Sequence, residues 1–134
     1  MTAHPPSAWQ RLWNQISGQG DAAPPAADDD YRRICARHLY TRYADHIYQG
    51  MLPPMLYAIG SLELHLDAQG QISGLNWLRE PSHAPEVVQQ IEDWVYAAAP
   101  FPAAPRPGES TYTDTWLWDE SGRFQLHTLT EGQM

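Results

Sequence analysis

The chain has 134 residues, 16 acidic against 8 basic side chains, a formal net charge of −8, 12 prolines and a single cysteine. That length suits one domain with tails, and one cysteine excludes an internal disulfide framework. All eight basic residues are Arg, and the acidic balance lacks the concentrated basic face that a nucleic-acid partner demands.

No stretch reaches the roughly 20 apolar residues of a membrane span. The opening Met1-Thr2-Ala3-His4-Pro5-Pro6 has neither the basic start nor the apolar run of a signal peptide. Residues 1–17 read as a short amphipathic helix capped by Ser7, with Trp9, Leu12, Trp13 and Ile16 at helical spacing. Residues 18–30, rich in Ala, Pro and Asp, read as a linker. A domain over residues 31–129 follows, and 130–134 read as a tail.

The domain opens on a helix expected over Tyr31–Tyr48, with Asp28-Asp29-Asp30 favouring its positive end. Its apolar stripe is Tyr31, Ile34, Cys35, Leu39, Tyr43 and Ile47. Gly50 and Pro53-Pro54 end it. The period then changes to two: Leu62, Leu64 and Leu66 alternate with Glu63, His65 and Asp67 as a half-buried strand. Asp67-Ala68-Gln69-Gly70 is a turn, and Gln71–Leu78 returns, with a bulge expected at Gly74. After Pro81, Ser82 or Ala84 caps a second helix with Pro85 in its first turn and Val87, Val88, Ile91, Trp94, Val95 and Ala98 as its apolar stripe. Thr111–Trp118 is a strand rich in Thr, Tyr and Trp. Asp119-Glu120-Ser121-Gly122 turns it into a returning strand over Arg123–Leu129.

Catalytic constellations are sparse. Cys35 falls on a buried stripe, where it reads as a small core hydrophobe. His38 and His46 are eight apart on one helix, about 12 Å along its axis, too far to share a metal ion. There is no H-E-x-x-H, C-x-x-C, G-x-S-x-G or phosphate-cradling glycine loop. No metal or cofactor is expected. If Asp119–Gly122 forms a four-residue loop, Trp118 lies opposite Arg123 and Asp114 opposite His127. Thr113, Thr115, Leu117, Phe124, Leu126 and Thr128 then make the core face. Tyr112, Asp114, Trp116, Trp118, Arg123 and His127 make a charged aromatic face that suits either a partner interface or a cover by the Trp9/Trp13 helix. Asp114 and His127 on that face also allow a second reading, a small soluble hydrolase.

Residues 50–118 carry a resemblance. Pro53-Pro54-Met55-Leu56, then Gly60-Ser61-Leu62-Glu63-Leu64-His65-Leu66-Asp67-Ala68-Gln69-Gly70-Gln71-Ile72, then Ala98-Ala99-Pro100-Phe101-Pro102 closing a helix, resemble the C-terminal domains of TonB and TolA proteins. The resemblance implies a small α+β domain of the Gram-negative periplasm, with three antiparallel strands and helices on one face. TonB domains serve transport and energy transduction by adding a segment of an outer-membrane transporter to the edge of the third strand. TolA domains hold envelope proteins. Strand addition draws affinity from main-chain hydrogen bonds and selectivity from alternate side chains. The implied partner is therefore a protein segment. The matching edge here is Thr111–Trp118, placing Thr111, Tyr112, Thr113, Asp114, Thr115, Trp116 and Trp118 in the contact, with Arg123 and His127 beside them. Arg123–Leu129 departs from the family as an additional strand. Paired with Thr111–Trp118 it would occupy that edge, leaving itself or the opposite edge near Gln71–Leu78 for capture, or exchanging between two chains to make a homodimer. A TolA-like envelope or secretion-system scaffold is the alternative within this class. Any membrane attachment would have to come from an anchor outside these residues.

Overall fold

The computed structural model of the chain describes residues 26–134, so the expected helix over 1–17 and most of the expected linker lie outside the described residues. Four antiparallel strands form one sheet in the order β2-β1-β3-β4. They are β1 Ala58–Leu66, β2 Ile72–Arg79, β3 Ser110–Trp118 and β4 Phe124–Leu126. Helices α1, Ala26–Arg42, and α2, Pro85–Ala98, pack on one face, which is the α+β arrangement the sequence implied. Among the described residues, no helix is long and apolar enough to cross a membrane.

The core follows from the pleat. Leu62, Leu64 and Leu66 of β1 point toward the helices with Tyr112, Asp114, Trp116 and Trp118 of β3, and all are buried. Against them α1 sets Tyr31, Cys35, Ala36 and Leu39, and α2 sets Val87, Ile91, Val95 and Ala98. Each fully buried Leu, Ile or Val contributes about 1.5–3 kcal/mol. Aromatic rings fill one end: Trp116 lies 4.6 Å from Phe124, Trp94 5.5 Å from Trp118, and Tyr43 stacks on Trp94 at 4.6 Å.

Helix α1 differs from expectation at both ends. It begins at Ala26, ahead of the acids, so Asp29 and Asp30 sit inside it and pair with Arg32 and Arg33 one turn on. It stops at Arg42, before a 3-10 turn at Ala44–His46, so Ile47 is buried from an extended segment rather than from the helix. Ile34 is 42% exposed, and Ala36 completes the buried stripe in its place.

Both hairpins close through the same turn. Asp67 N–H donates to the Gln71 carbonyl at 2.9 Å and Gly70 N–H to the Asp67 carbonyl at 3.0 Å. Asp119, Arg123 and Gly122 repeat the pattern at 2.8 and 3.0 Å. Gly70 and Gly122 sit at φ +82° and +86°, where an L side chain is strained. Each Asp carboxylate also accepts a turn amide, Gln69 N–H at 2.9 Å and Ser121 N–H at 3.0 Å.

Pairing Asp119 with Arg123 corrects the expected register: Trp118 faces Phe124, Leu117 faces Gln125 and Trp116 faces Leu126. A slip of one residue turns the faces over. The return strand is also short, since Phe124–Leu126 gives way to a 3-10 turn at His127–Leu129. In β2 the expected irregularity falls at Ser73 rather than at Gly74, and a second falls at Leu78.

Two further segments lock the sheet. The Pro-Phe-Pro close of α2 has a cis Ala99–Pro100 peptide. Phe101 N–H there donates to the Gly70 carbonyl at 2.8 Å, and Tyr31 OH donates to the Pro102 carbonyl at 2.8 Å. On the opposite face of the sheet, Gln125 is fully buried and all of its amide is used. Its Nε2 donates to the Tyr48 and Gly50 carbonyls at 2.9 and 2.6 Å, and its Oε1 accepts from Glu131 N–H and Thr130 Oγ1 at 3.1 and 3.2 Å. Leu52 N–H donates to the Gly132 carbonyl and Met134 N–H to the Leu52 carbonyl, at 2.8 and 2.9 Å. Residues 130–134, expected as a tail, are therefore a strap bonded to Leu52 and Gln125, and Leu52 is buried with Leu117 in a small cluster that Tyr48, Leu56 and Ile59 pack against.

Candidate functional site

The structure divides the expected partner-binding residues. Tyr112, Asp114, Thr115, Trp116 and Trp118 are buried, while Thr111 and Arg123 are exposed and Thr113 and His127 half-buried. The charged aromatic face is thus core: α1, α2 and Phe124 cover it, so Tyr112, Asp114 and Trp116 are out of a partner's reach, and Trp118, 6% exposed, shows only a margin at the end of the sheet. Thr115 lies on the opposite face, with its hydroxyl 2.7 Å from that of Ser61. Arg123 belongs to the turn, and His127 to the 3-10 turn beyond β4.

Asp114 has a structural task. Its Oδ1 accepts from Thr115 N–H at 2.9 Å and Thr128 N–H at 3.1 Å, and its Oδ2 from Tyr112 OH at 2.7 Å. The carboxylate takes up main-chain donors where β4 leaves β3, which a buried backbone requires. Burial pushes its pKa up and outweighs the lowering effect of these bonds. His127 is lowered to about 4, by burial and by the Arg32 charge. Asp114 thus accepts from three donors, and it is the Thr128 amide rather than His127 that lies across from it.

The expected edge is partly closed. β4 pairs with Trp116–Trp118, and β4 itself is flanked by Ile47, with Tyr48 N–H donating to the Phe124 carbonyl at 2.9 Å. Among the described residues no strand lies beside Ser110–Thr113 on that side, leaving a stub of open edge.

The longer edge is on the opposite side. β2 is bonded to β1 alone, so its outer side is open along Ile72–Arg79 among the described residues. Antiparallel bonding alternates along a strand. The bonded pair Asp67/Gln71 at the turn sets the phase, so Gly74 and Asn76 bond to His65 and Glu63 of β1. Ile72, Leu75 and Trp77 consequently direct their N–H and C=O groups outward. The stretch Gly74–Trp77 between the two irregularities is regular. Its helix-side flank is firm, since Trp77 Nε1–H donates to Glu92 of α2 at 2.8 Å. Leu78, 43% exposed, marks its far end. The sequence placed capture at Thr111–Trp118 by resemblance and named Arg123–Leu129 or the edge near Gln71–Leu78 as the alternatives if the additional strand pairs there; β4 does pair with Trp116–Trp118.

No family model, no curated protein and no solved structure matches the chain.

Proposed function

We propose that this chain is a protein-binding domain that takes up an extended segment of a partner along the outer edge of β2, acting by contact rather than by catalysis. The observation that carries the reading is the strand order, which among the described residues leaves an eight-residue strand with one unpaired side while both faces of β3 are covered. An open edge of this kind is a template for another strand, and strand addition there would pair the outward groups of Leu75 and Trp77.

The resemblance of residues 50–118 to TonB and TolA C-terminal domains supports a setting in the periplasm of a Gram-negative cell. The partner would then be a segment of an outer-membrane transporter, in energy transduction, or of an envelope protein held by a TolA-like scaffold. The reading differs from the family in the edge used, because here β4 occupies part of the third strand's outer side.

The test is an NMR titration of the whole chain with extended peptides copied from transporter plugs. Shifts concentrated over Ile72–Arg79 are expected. Shifts confined to Ser110–Thr113 would move the site to the β3 stub, and no shifts with any such peptide would remove the transporter reading.

A further inference from the structure

A cavity of about 520 Å³ lies away from the β2 edge, at the end of the β3–β4 hairpin, lined by Tyr57, Glu86, Val87, Gln90, Trp118 and Glu120. Its walls are held rigid. Tyr57 N–H donates to the Trp118 carbonyl at 2.9 Å, and the Tyr57 hydroxyl donates to the Glu86 carboxylate. His83 packs edge-on to the Tyr57 ring at 5.9 Å and donates from Nε2 to the Tyr57 carbonyl at 2.7 Å. The Trp118 ring is backed by Phe124 and Trp94 at 5.7 and 5.5 Å. The exposed Tyr57 ring is therefore presented beside the margin of the buried Trp118 with little rotamer freedom left to lose, which is the condition for a preorganised site.

The charges lining the cavity have one sign. Glu86 comes from the first turn of α2 and Glu120 from the β3–β4 turn, and among the described residues that line it no basic side chain joins them. The Tyr57 hydroxyl lowers the Glu86 pKa, so that carboxylate is charged at neutral pH. An anion would be repelled here. A bare metal ion would find aromatic walls and only two carboxylates, one of them already accepting a hydroxyl. A cation on an organic stem satisfies both features, since aromatic faces attract ammonium and guanidinium groups and the stem fills apolar space.

We propose that this cavity binds the cationic head of an Arg or Lys side chain from a partner protein, against the exposed Tyr57 ring beside Trp118, with Glu86 and Glu120 as counter-charges. The site stands whether or not β2 accepts a strand.

The test follows amide and indole signals of the isotope-labelled chain during titration with N-acetyl arginine amide, N-acetyl lysine amide, the neutral isostere N-acetyl citrulline amide, and choline. Saturable shifts at the Trp118 indole N–H and the Tyr57 and Glu120 amides are expected with the Arg or Lys derivative and not with citrulline. Glu86→Gln combined with Glu120→Gln should weaken that binding roughly tenfold, the scale of one lost charge-assisted contact. Both side chains are exposed, and the remaining spectrum reports whether the variant is folded. Equal shifts with citrulline, no saturable shift, or an unchanged affinity in the folded double variant would overturn the proposal. Binding of choline without the Arg or Lys derivatives would overturn the assignment to a side chain.

Discussion

Replacing Asp114 tests whether a buried carboxylate terminates the β3–β4 pairing. In Asp114→Ala, the Tyr112 hydroxyl and the amides of Thr115 and Thr128 lose their acceptor. An unpaired buried polar group costs about 1–3 kcal/mol, while removing a buried carboxylate returns part of that through its own desolvation. The expected net loss is about 3 kcal/mol. In Asp114→Asn the amide oxygen still accepts both main-chain donors and Nδ2 donates to the Tyr112 hydroxyl, so the loss should stay under about 1 kcal/mol. The two variants also differ in pH dependence. Burial holds the native Asp114 pKa above the ordinary 3.8, so the folded state binds this proton more tightly than the unfolded one. The group's contribution is therefore full in acid and falls as pH rises from about that ordinary value through the native one. His127 contributes the opposite slope between about 4 and 6.5, but it is common to both chains and cancels. Urea denaturation followed by Trp fluorescence at a series of pH values should show Asp114→Asn gaining on wild type as pH rises. Equal losses for Ala and Asn, or wild-type and Asn curves that stay parallel through the acid range, would refute the reasoning.

Three further outcomes are expected. Gly70→Ala should cost more than about 3 kcal/mol and Gly122→Ala only about 1–2 kcal/mol by thermal melting; the turns match, but a Cβ at Gly70 would lie 2.1 Å from the Phe101 carbonyl oxygen and one at Gly122 meets nothing within 4 Å. Deleting 131–134 should destabilise the chain by about 2–4 kcal/mol in urea, since it removes the strap's bonds to Leu52, Gln125 and Pro53; an unchanged midpoint would show that the strap is dispensable. Cys35 is fully buried and its thiol is pushed up to about 12, so a thiol-reactive dye should label it only after denaturation. Rapid labelling of the folded chain would contradict the packing of α1.

The first hairpin and α2 were legible because each buries one side only: Leu62, Leu64 and Leu66 against polar neighbours, and Val87, Ile91 and Val95 at helical spacing. β3 was legible as a strand, expected at Thr111–Trp118 and found at Ser110–Trp118, but its core face was not, because it is covered on both sides. Its helix-facing residues include a buried Asp, and its other face hides Thr115 and Leu117, so alternation carried no information about which side is core. The register of the second hairpin turned on whether Asp119 belongs to the loop or pairs with Arg123. The identical Asp67–Gly70 turn was the available signal. The strap was invisible for another reason: Gln125 holds it by accepting from the Thr130 hydroxyl and Glu131 N–H, Gln133 by donating to the Pro53 and Pro54 carbonyls, and no apolar period marks 130–134. At the candidate site, the β2 edge was named only as an alternative, since its standing depended on how far β4 covers β3.

Amide hydrogen exchange along β2 tests the central claim most directly. In the isolated chain, the Leu75 and Trp77 amides should exchange quickly while Gly74 and Asn76, bonded to β1, stay protected. With a binding peptide present, Leu75 and Trp77 should become protected to the level of their neighbours. Protection of Leu75 and Trp77 in the isolated chain, or exchange that remains fast in the bound state, would contradict strand addition at this edge.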